Sequence, residues 1–383
     1  MTSVDERRRL GVASLLDESD DAAWDAFVAT IPGGLYPQSS RWAKVKAHIG
    51  WRASRVALTD GGHIVAGAQM LLRPLSRVGT IGYVPKGPLV PAGDVELARV
   101  VLDALLAQAA RCRVLYLVLQ PPTSDEALER ELAARGFAPT ADIGTPSTTL
   151  RVDLRRSAEE LLVNMNESTR RNIRRGQSHG VKVRMGLDGD IGAFSRLAIA
   201  AAQRKRFAMP PPDYYPEMWR VLREGRHIEL FVAELDGEPV SAMLVIVFGD
   251  TAFAHASAWT GSNSPSKPNH VLQWAAITWA RENGYHYFDV EGVDITIARA
   301  LTDRVSKASV DVPDSHATRF KIGFGGQLTG SSVAYEYVPN HLLRWAYRRV
   351  YLRFKSSRAV NVVRKKLMQR IQSRRTPQAS EQD

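Results

Sequence analysis

The chain has 383 residues, of which 44% are hydrophobic and 24% charged, a balance that excludes a largely disordered protein and leaves room for two or three packed cores. The formal net charge is +11, but the excess is local: no acidic residue lies between Glu336 and Glu381, while arginines and lysines run from Arg344 to Arg375. One cysteine, Cys112, excludes an internal disulfide and a multi-cysteine metal site, and it points to a reducing compartment.

Met1 to Leu16 is charged and has no long apolar run, so a secretory signal is not expected there. No stretch approaches the ~18 apolar residues that span a bilayer, and a cytoplasmic protein is the expectation. An opening helix carries Trp24 and Phe27, a turn follows at Pro32-Gly33-Gly34, and a short helix carries Trp42 and Lys46. Near Val56 two strands flank an Asp-Gly turn, Asp60-Gly61, a hairpin signal because such turns need positive φ. A helix over Val95 to Ala110 and a strand over Val114 to Gln120 come next. A strand from Thr149 to Leu154 opens a second unit. Ser157 and Glu160 match a capping box, with a helix expected to about Ser178 and a stop at Gly180. A proline-rich loop, Pro210 to Pro212, leads into a second hairpin around Asp236-Gly237. A helix (Val271 to Glu282) and a strand (Tyr285 to Glu291) repeat the earlier order. The offset from Val56 to Val232 is the size of a domain, not of a solenoid repeat, so the pattern reads as one mixed α/β scaffold duplicated. A strand-rich piece from Phe320 to Tyr337 precedes the basic tail.

Four groups of residues carry chemistry. Arg170, Arg171, Arg174 and Arg175 stack as pairs on the last turns of a helix, where the helix dipole favours cations; phosphate binding is the functional reading. Phe320-Lys321 followed by Gly323, Gly325 and Gly326 suggests close backbone approach and a desolvated cation able to offset an oxyanion, or else a β-bulge with a surface lysine. Asp289 and Glu291, two apart on a strand, share a face and serve as an acid/base pair or a structural one; His286 points the other way, so no metal is expected. In the tail, Val360, Val363, Leu367 and Ile371 share one helical face amid basic residues, a pattern for an anionic membrane surface, for nucleic acid, or for a solvated end.

A nucleoside triphosphate loop is missing from the sequence. The acetyl-coenzyme A loop has one formal match, Arg8 to Ala13, placed before any strand that would present it.

Taken together, Trp42 to Lys46, Tyr83 to Pro88, Thr169 to Arg174, Tyr287 to Asp289 with Gly292, and Phe320-Lys321 with Gly325-Gly326 resemble the Fem-type peptidyltransferases, which attach amino acids to peptidoglycan precursors. The resemblance covers most of residues 20 to 340. It implies two tandem N-acetyltransferase-like (GNAT) domains of mixed α/β type: residues 1–150, joined by 331–345, and residues 151–330, with a basic C-terminal helix and tail over 346–383. The compact form is implied, since the interval from Met185 to Ile228 leaves no room for a long helical hairpin.

The resemblance further implies an aminoacyl-tRNA donor, no cofactor, and an acceptor amine on the stem peptide of a lipid-linked or nucleotide-linked precursor. Lys46 falls on a diphosphate-binding lysine, beside Trp42, and Tyr214 on a substrate-contacting tyrosine. Lys321, beside Phe320, falls on the lysine that stabilises developing charge. Asp289 joins the acceptor site, and Arg170, Arg171, Arg174 and Arg175 face tRNA or phosphate. Peripheral contact with the inner membrane leaflet is expected through 341–375. Two positions depart from the pattern. Gln120-Pro121 stands where Asp-Pro is common, and Pro210 where an arginine is expected, with Arg204 or Arg206 as substitutes from a shifted loop. The alternatives are a coenzyme A-dependent N-acyltransferase and a membrane-associated binder without catalysis.

Overall fold

Two hairpins seed two sheets of the same design. The structure is a computed structural model that describes residues 11–15, 21–75, 79–140, 148–205, 209–302, 317–330, 333–340 and 344. The first half runs β1 (Gly11–Leu15), α1 (Ala22–Thr30), α2 (Ser40–His48), β2 (Arg52–Asp60), β3 (His63–Leu75), β4 (Gly79–Val84), α3 (Val95–Arg111), β5 (Val114–Leu119), α4 (Glu126–Ala134) and β6 (Ala138–Thr140). The second runs β7 (Thr149–Asp153), α5 (Ala158–Asn164), α6 (Glu167–Ser178), β8 (Lys182–Met185), α7 (Ile191–Lys205), α8 (Tyr214–Glu224), β9 (Ile228–Leu235), β10 (Glu238–Phe248), β11 (Thr251–Trp259), α9 (Pro268–Glu282), β12 (Tyr287–Gly292), α10 (Ile295–Thr302), α11 (Ala317–Ile322) and β13 (Gln327–Thr329). A last strand, β14 (Ala334–Tyr337), follows.

The first sheet has the order β1-β2-β3-β4-β5-β14-β6 and the second β13-β7-β12-β11-β10-β9-β8. Each contains an antiparallel hairpin, a third antiparallel strand, and a parallel strand reached through a helix: β4 pairs with β5 across α3, and β11 with β12 across α9. In each sheet the place beyond the parallel pair is taken by an antiparallel strand from elsewhere in the chain. In the second sheet it is β7, from before the hairpin; in the first it is β14, from beyond the second sheet.

Turn chemistry sets both hairpins, with one shift from expectation. Asp236 and Gly237 form the two-residue loop of the second hairpin, at φ 55° and 84°. In the first hairpin Asp60 still pairs with His63, so the loop is Gly61-Gly62, where two glycines adopt positive φ without a Cβ penalty.

The capping box at Ser157 and Glu160 is present, but the helix it starts is broken. It ends at Asn164, the chain turns through Met165 in extended geometry, and α6 begins at Glu167. The expected strand around Phe320 is instead α11, a short helix; strand geometry begins only at Gln327. The tail helix through Val360, Val363, Leu367 and Ile371, and Arg206, lie outside the described residues.

Each sheet has its own core. Leu97, Val101, Leu102 and Leu105 of α3, at helical spacing, cover Leu58, Met70 and Leu117. Val271, Leu272, Ala276 and Ile277 of α9 cover Phe231, Val245 and Phe288. A third core belongs to both halves: Trp24, Phe27, Trp42 and Val45 pack with Phe194, Met218, Trp219, Leu222 and Phe253. Through it α2 lies on α8, and Arg41 Nη1 donates to the carbonyl of Val221 at 3.4 Å. The two halves therefore meet through apolar packing, and the edge of that junction holds the site.

Candidate active site

Tyr36 opens the site from the 3-10 turn Tyr36–Gln38, just before the Ser39 cap of α2. Its ring packs edge-on against Trp42 (4.9 Å) and Phe253 (5.1 Å), tying the first half to β11. One helical turn beyond Trp42, Lys46 Nζ lies 4.3 Å from the Trp42 ring centroid and donates to Tyr214 Oη at 2.8 Å. Burial lowers the Lys46 ammonium from its usual range to about 8, against the pull of Glu291, and burial raises the Tyr214 phenol. Three residues marked from sequence, Trp42, Lys46 and Tyr214, thus meet across the junction of the halves.

The parallel pair β11 and β12 supplies the opposite wall. Its register covers only Thr251 to Phe253 against Tyr287 to Asp289, and beyond that the strands part. On β12 the chain bulges against β7 after Asp289, and Glu291 takes φ 55°. Asp289, 3% exposed, holds this bulge: it accepts from Thr149 Oγ1 at 3.0 Å and from the Glu291 N–H at 2.7 Å. Desolvation raises its pKa despite those bonds. Expected to meet substrate, Asp289 has both oxygens engaged inside the protein. Its neighbour Glu291 faces the junction and accepts from Tyr36 Oη at 2.7 Å.

The reading that no histidine shares this face is corrected by β11. His255, two residues past Phe253, lies level with Glu291, two past Asp289, with 3.2 Å from Nδ1 to Glu291 Oε1. The sequence reading looked only along one strand, and the histidine comes from its neighbour. Among the described residues no group of three or more His, Cys, Asp or Glu side chains is arranged to hold a metal ion.

Helix α11 brings Lys321 to the end of β12. Lys321 Nζ donates to the Gly292 carbonyl at 2.7 Å, Thr318 Oγ1 accepts from the Asp294 N–H at 3.0 Å, and the Gly323 carbonyl accepts from the Asn166 N–H at 2.9 Å. Phe320 packs edge-on against His270 (4.9 Å) and Phe324 (5.2 Å). Desolvation lowers Lys321, while Glu291 and Asp289 act in the opposite sense. The glycines do what the motif suggested: a Cβ at Gly323 would strike Thr169 Oγ1, and one at Gly326 would lie 2.7 Å from the Arg151 carbonyl oxygen. A second lysine, Lys86, sits 7% exposed in the loop after β4, lowered by desolvation against the same two carboxylates.

Other marked residues lie apart. Arg204 is exposed, donates to the Trp259 carbonyl at 3.0 Å and stacks on the Trp259 ring. Arg170 Nη1 donates to the carbonyls of Leu162, Val163 and Met165, capping the end of α5. Arg171, Arg174 and Arg175 are exposed on α6. Gln120 is buried and accepts from Tyr83 Oη at 3.0 Å.

Comparison with known proteins bears on this geometry. The FemAB family model matches residues 20–135, and an acetyltransferase (GNAT) domain model matches residues 164–294. The first half is thus similar to the FemAB family and the second to GNAT domains. The lipid II:glycine glycyltransferase of Staphylococcus epidermidis is 28% identical over 231 residues, 56% of this chain and 55% of that protein. This chain therefore spans about half the length of the glycyltransferases it matches. The UDP-N-acetylmuramoylpentapeptide-lysine N(6)-alanyltransferase of Weissella viridescens is 26% identical over 297 residues, 74% of this chain and 87% of that protein. A crystal structure of FemX superposes with a TM-score of 0.73 at 20% identity, covering 85% of this chain and 97% of that one. A tandem GNAT protein from the clavulanic acid biosynthesis pathway superposes with a TM-score of 0.51 at 14% identity, covering 86% and 99%. The fold is thus a mixed α/β tandem of GNAT-like sheets, as Fem proteins have.

Sequence reasoning missed Tyr36, Lys86 and His255 as site residues and named Glu291 only as half of a strand pair. Lys86 was within reach, since it lies in the Tyr83 to Pro88 segment that carried the family resemblance. The register of a parallel pair flanking a crossover helix would have set His255 beside Glu291.

Proposed function

We propose that this protein is an aminoacyltransferase that moves an amino acid from aminoacyl-tRNA to the stem-peptide amine of a peptidoglycan precursor. The observation that carries the proposal is the Lys46–Tyr214 hydrogen bond across the junction, with Lys321 tethered at the end of β12 and both lysines under the charge of Glu291. An ammonium lowered to about 8, still largely protonated at neutral pH, and stacked on Trp42 is suited to a diphosphate, whose charge would hold that proton more firmly. Lys321 uses one N–H on Gly292 and retains two for an oxyanion formed as the ester is attacked. Holding amine and ester together supplies much of the rate.

The exposed Arg171, Arg174 and Arg175 fit a polyanionic donor, and the basic 341–375 segment fits peripheral contact with an anionic inner leaflet where a lipid-linked acceptor lies. Among the described residues no helix is long and apolar enough to cross a membrane. Against a coenzyme A-dependent reaction stands the absence of a pyrophosphate-binding loop before α3 or α9; the formal match at Arg8 to Ala13 leads into edge strand β1.

The test is transfer of radiolabelled amino acids from a mixed charged-tRNA pool to purified lipid II and to its soluble nucleotide precursor. Label on either acceptor is the expected result, and the preferred acceptor identifies the role of the tail. Absence of label on both, with acetyl transfer from acetyl-coenzyme A to an amine, would replace this reading.

A further inference from the structure

An amine protonated at neutral pH cannot attack an ester, so the site needs a group that accepts its proton. We propose that His255 is that group, held in position by Glu291 and Tyr36. This rests on the aminoacyl-transfer reading and names the base within it.

Hydrogen-bond geometry decides the tautomer. Tyr36 Oη, Glu291 Oε1 and His255 Nδ1 form a triangle with sides of 2.7, 3.0 and 3.2 Å. The single phenolic proton goes to the nearest acceptor, Glu291. Nδ1 then faces two oxygens, a carboxylate and a phenol whose proton is already engaged, and satisfies them only by carrying a proton itself. The neutral imidazole is therefore protonated at Nδ1, and its lone pair is on Nε2. Among the described residues Nε2 has no hydrogen-bond partner, and the side chain is 16% exposed, so the base is held but not sealed off. The Trp42 and Tyr36 rings pack edge-on against the imidazole, with centroids 5.3 and 5.8 Å away, and fix its plane.

The other polar groups around the junction are less suited. Asp289 has both oxygens engaged, Gln120 is an amide, and Glu291 already accepts from Tyr36 and His255. Lys46, Lys86 and Lys321 approach as cations from α2, from the loop after β4 and from α11, and Tyr214 from α8; Glu291, in direct contact with His255, sets a negative charge against those lysines.

Nε2 takes one proton from the acceptor ammonium. The amine lone pair then attacks the ester carbonyl, the C–N bond forms, and the ester C–O bond breaks. The second nitrogen proton leaves with the ribose hydroxyl, and the imidazolium returns its proton to water.

Steady-state transfer by the wild type, His255→Gln and Glu291→Gln across pH tests the assignment, with thermal melts to establish folding. The expected results are a fall in kcat of about 100-fold for His255→Gln with little change in KM, and displacement of the acidic limb of the kcat profile to the alkaline range where the acceptor amine itself loses its proton. Glu291→Gln keeps the shape but removes the charge that holds the Nδ1 proton, and lowers kcat with little change in KM; it carries the test alone should His255→Gln not fold. An unchanged kcat profile in a folded variant would overturn the role of His255 and leave aminoacyl transfer standing. A wild type that transfers to no acceptor would overturn both.

Discussion

Lys321 is tethered by one hydrogen bond to the Gly292 carbonyl and is desolvated, so its charge is positioned before any substrate arrives. A cation set this way acts on charge that develops during reaction more than on the ground state. Lys321→Ala is therefore expected to lower kcat by about 100-fold while raising KM by much less. Steady-state kinetics decide it, since an unchanged kcat with a raised KM would make Lys321 a binding residue. Beneath it, His270 packs against Phe320, and its Nε2 lies 3.2 Å from the Asn172 amide nitrogen, which suits a neutral ring that accepts. Burial first, and the nearby Lys267 charge second, lower His270 from 6.5 to about 4. Between those values the unfolded chain binds the extra proton and the folded chain does not, so stability falls as pH drops through that window. Denaturant melts at pH 7 and pH 4 should show His270→Gln losing about 2 kcal/mol less than the wild type, the figure reduced for partial exposure.

At the scale of elements, what was legible depended on whether local chemistry or docking decides the conformation. The hairpin turns and the capping box at Ser157 were readable because glycines at positive φ and a reciprocal side-chain cap act within a few residues. The helix α11 was not. Its six residues include Phe320 and Ile322 and end before Gly323, a stretch whose aromatic and branched side chains suit a strand, and a single turn and a half has little stability of its own. Bonds from Asn166 and Asp294, and the fit of Gly323, Gly325 and Gly326 against Thr169, Asn164 and Arg151, hold it as a helix. The break between α5 and α6 has the same origin, since Asn166 leaves helical geometry to bond Gly323. Gly326→Ala is accordingly expected to cost about 2 kcal/mol or more, because φ +104° disfavours a Cβ and the Arg151 carbonyl oxygen lies 2.7 Å from where it would stand. Urea melts measure that cost, and transfer kinetics should show kcat falling with it as Lys321 shifts.

At the scale of the whole molecule, the duplication was visible as two hairpin, helix and strand series, but the closure of the first sheet was known only through family resemblance. No local pattern around Ala334 to Tyr337 names a partner more than 200 residues earlier; the pairing of Glu336 with Val118 is a matter of topology. The strand is nonetheless central to the first half. It lies between β5 and β6, Tyr335 is buried, Glu336 accepts from Tyr116 Oη at 2.8 Å, and the Tyr337 ring stacks on Phe137 at 4.8 Å. Without β14 the edge of β5 is left unpaired and β6 has no neighbour in the sheet. The loss of a buried tyrosine, a stacked pair and the backbone bonds on both sides amounts to about 5 kcal/mol or more, comparable with the whole stability of an ordinary domain. Because the third core joins both halves through Trp42 and Trp219, a weakened first half should also loosen the site. A chain ending at residue 330 is therefore expected to melt much lower than one ending at residue 345, or to fail to fold. Thermal melts of the two truncations separate the outcomes: equal melting temperatures would mean that β14 only decorates the first sheet, whereas a large drop confined to the shorter chain would mean that the last described strand completes the first half.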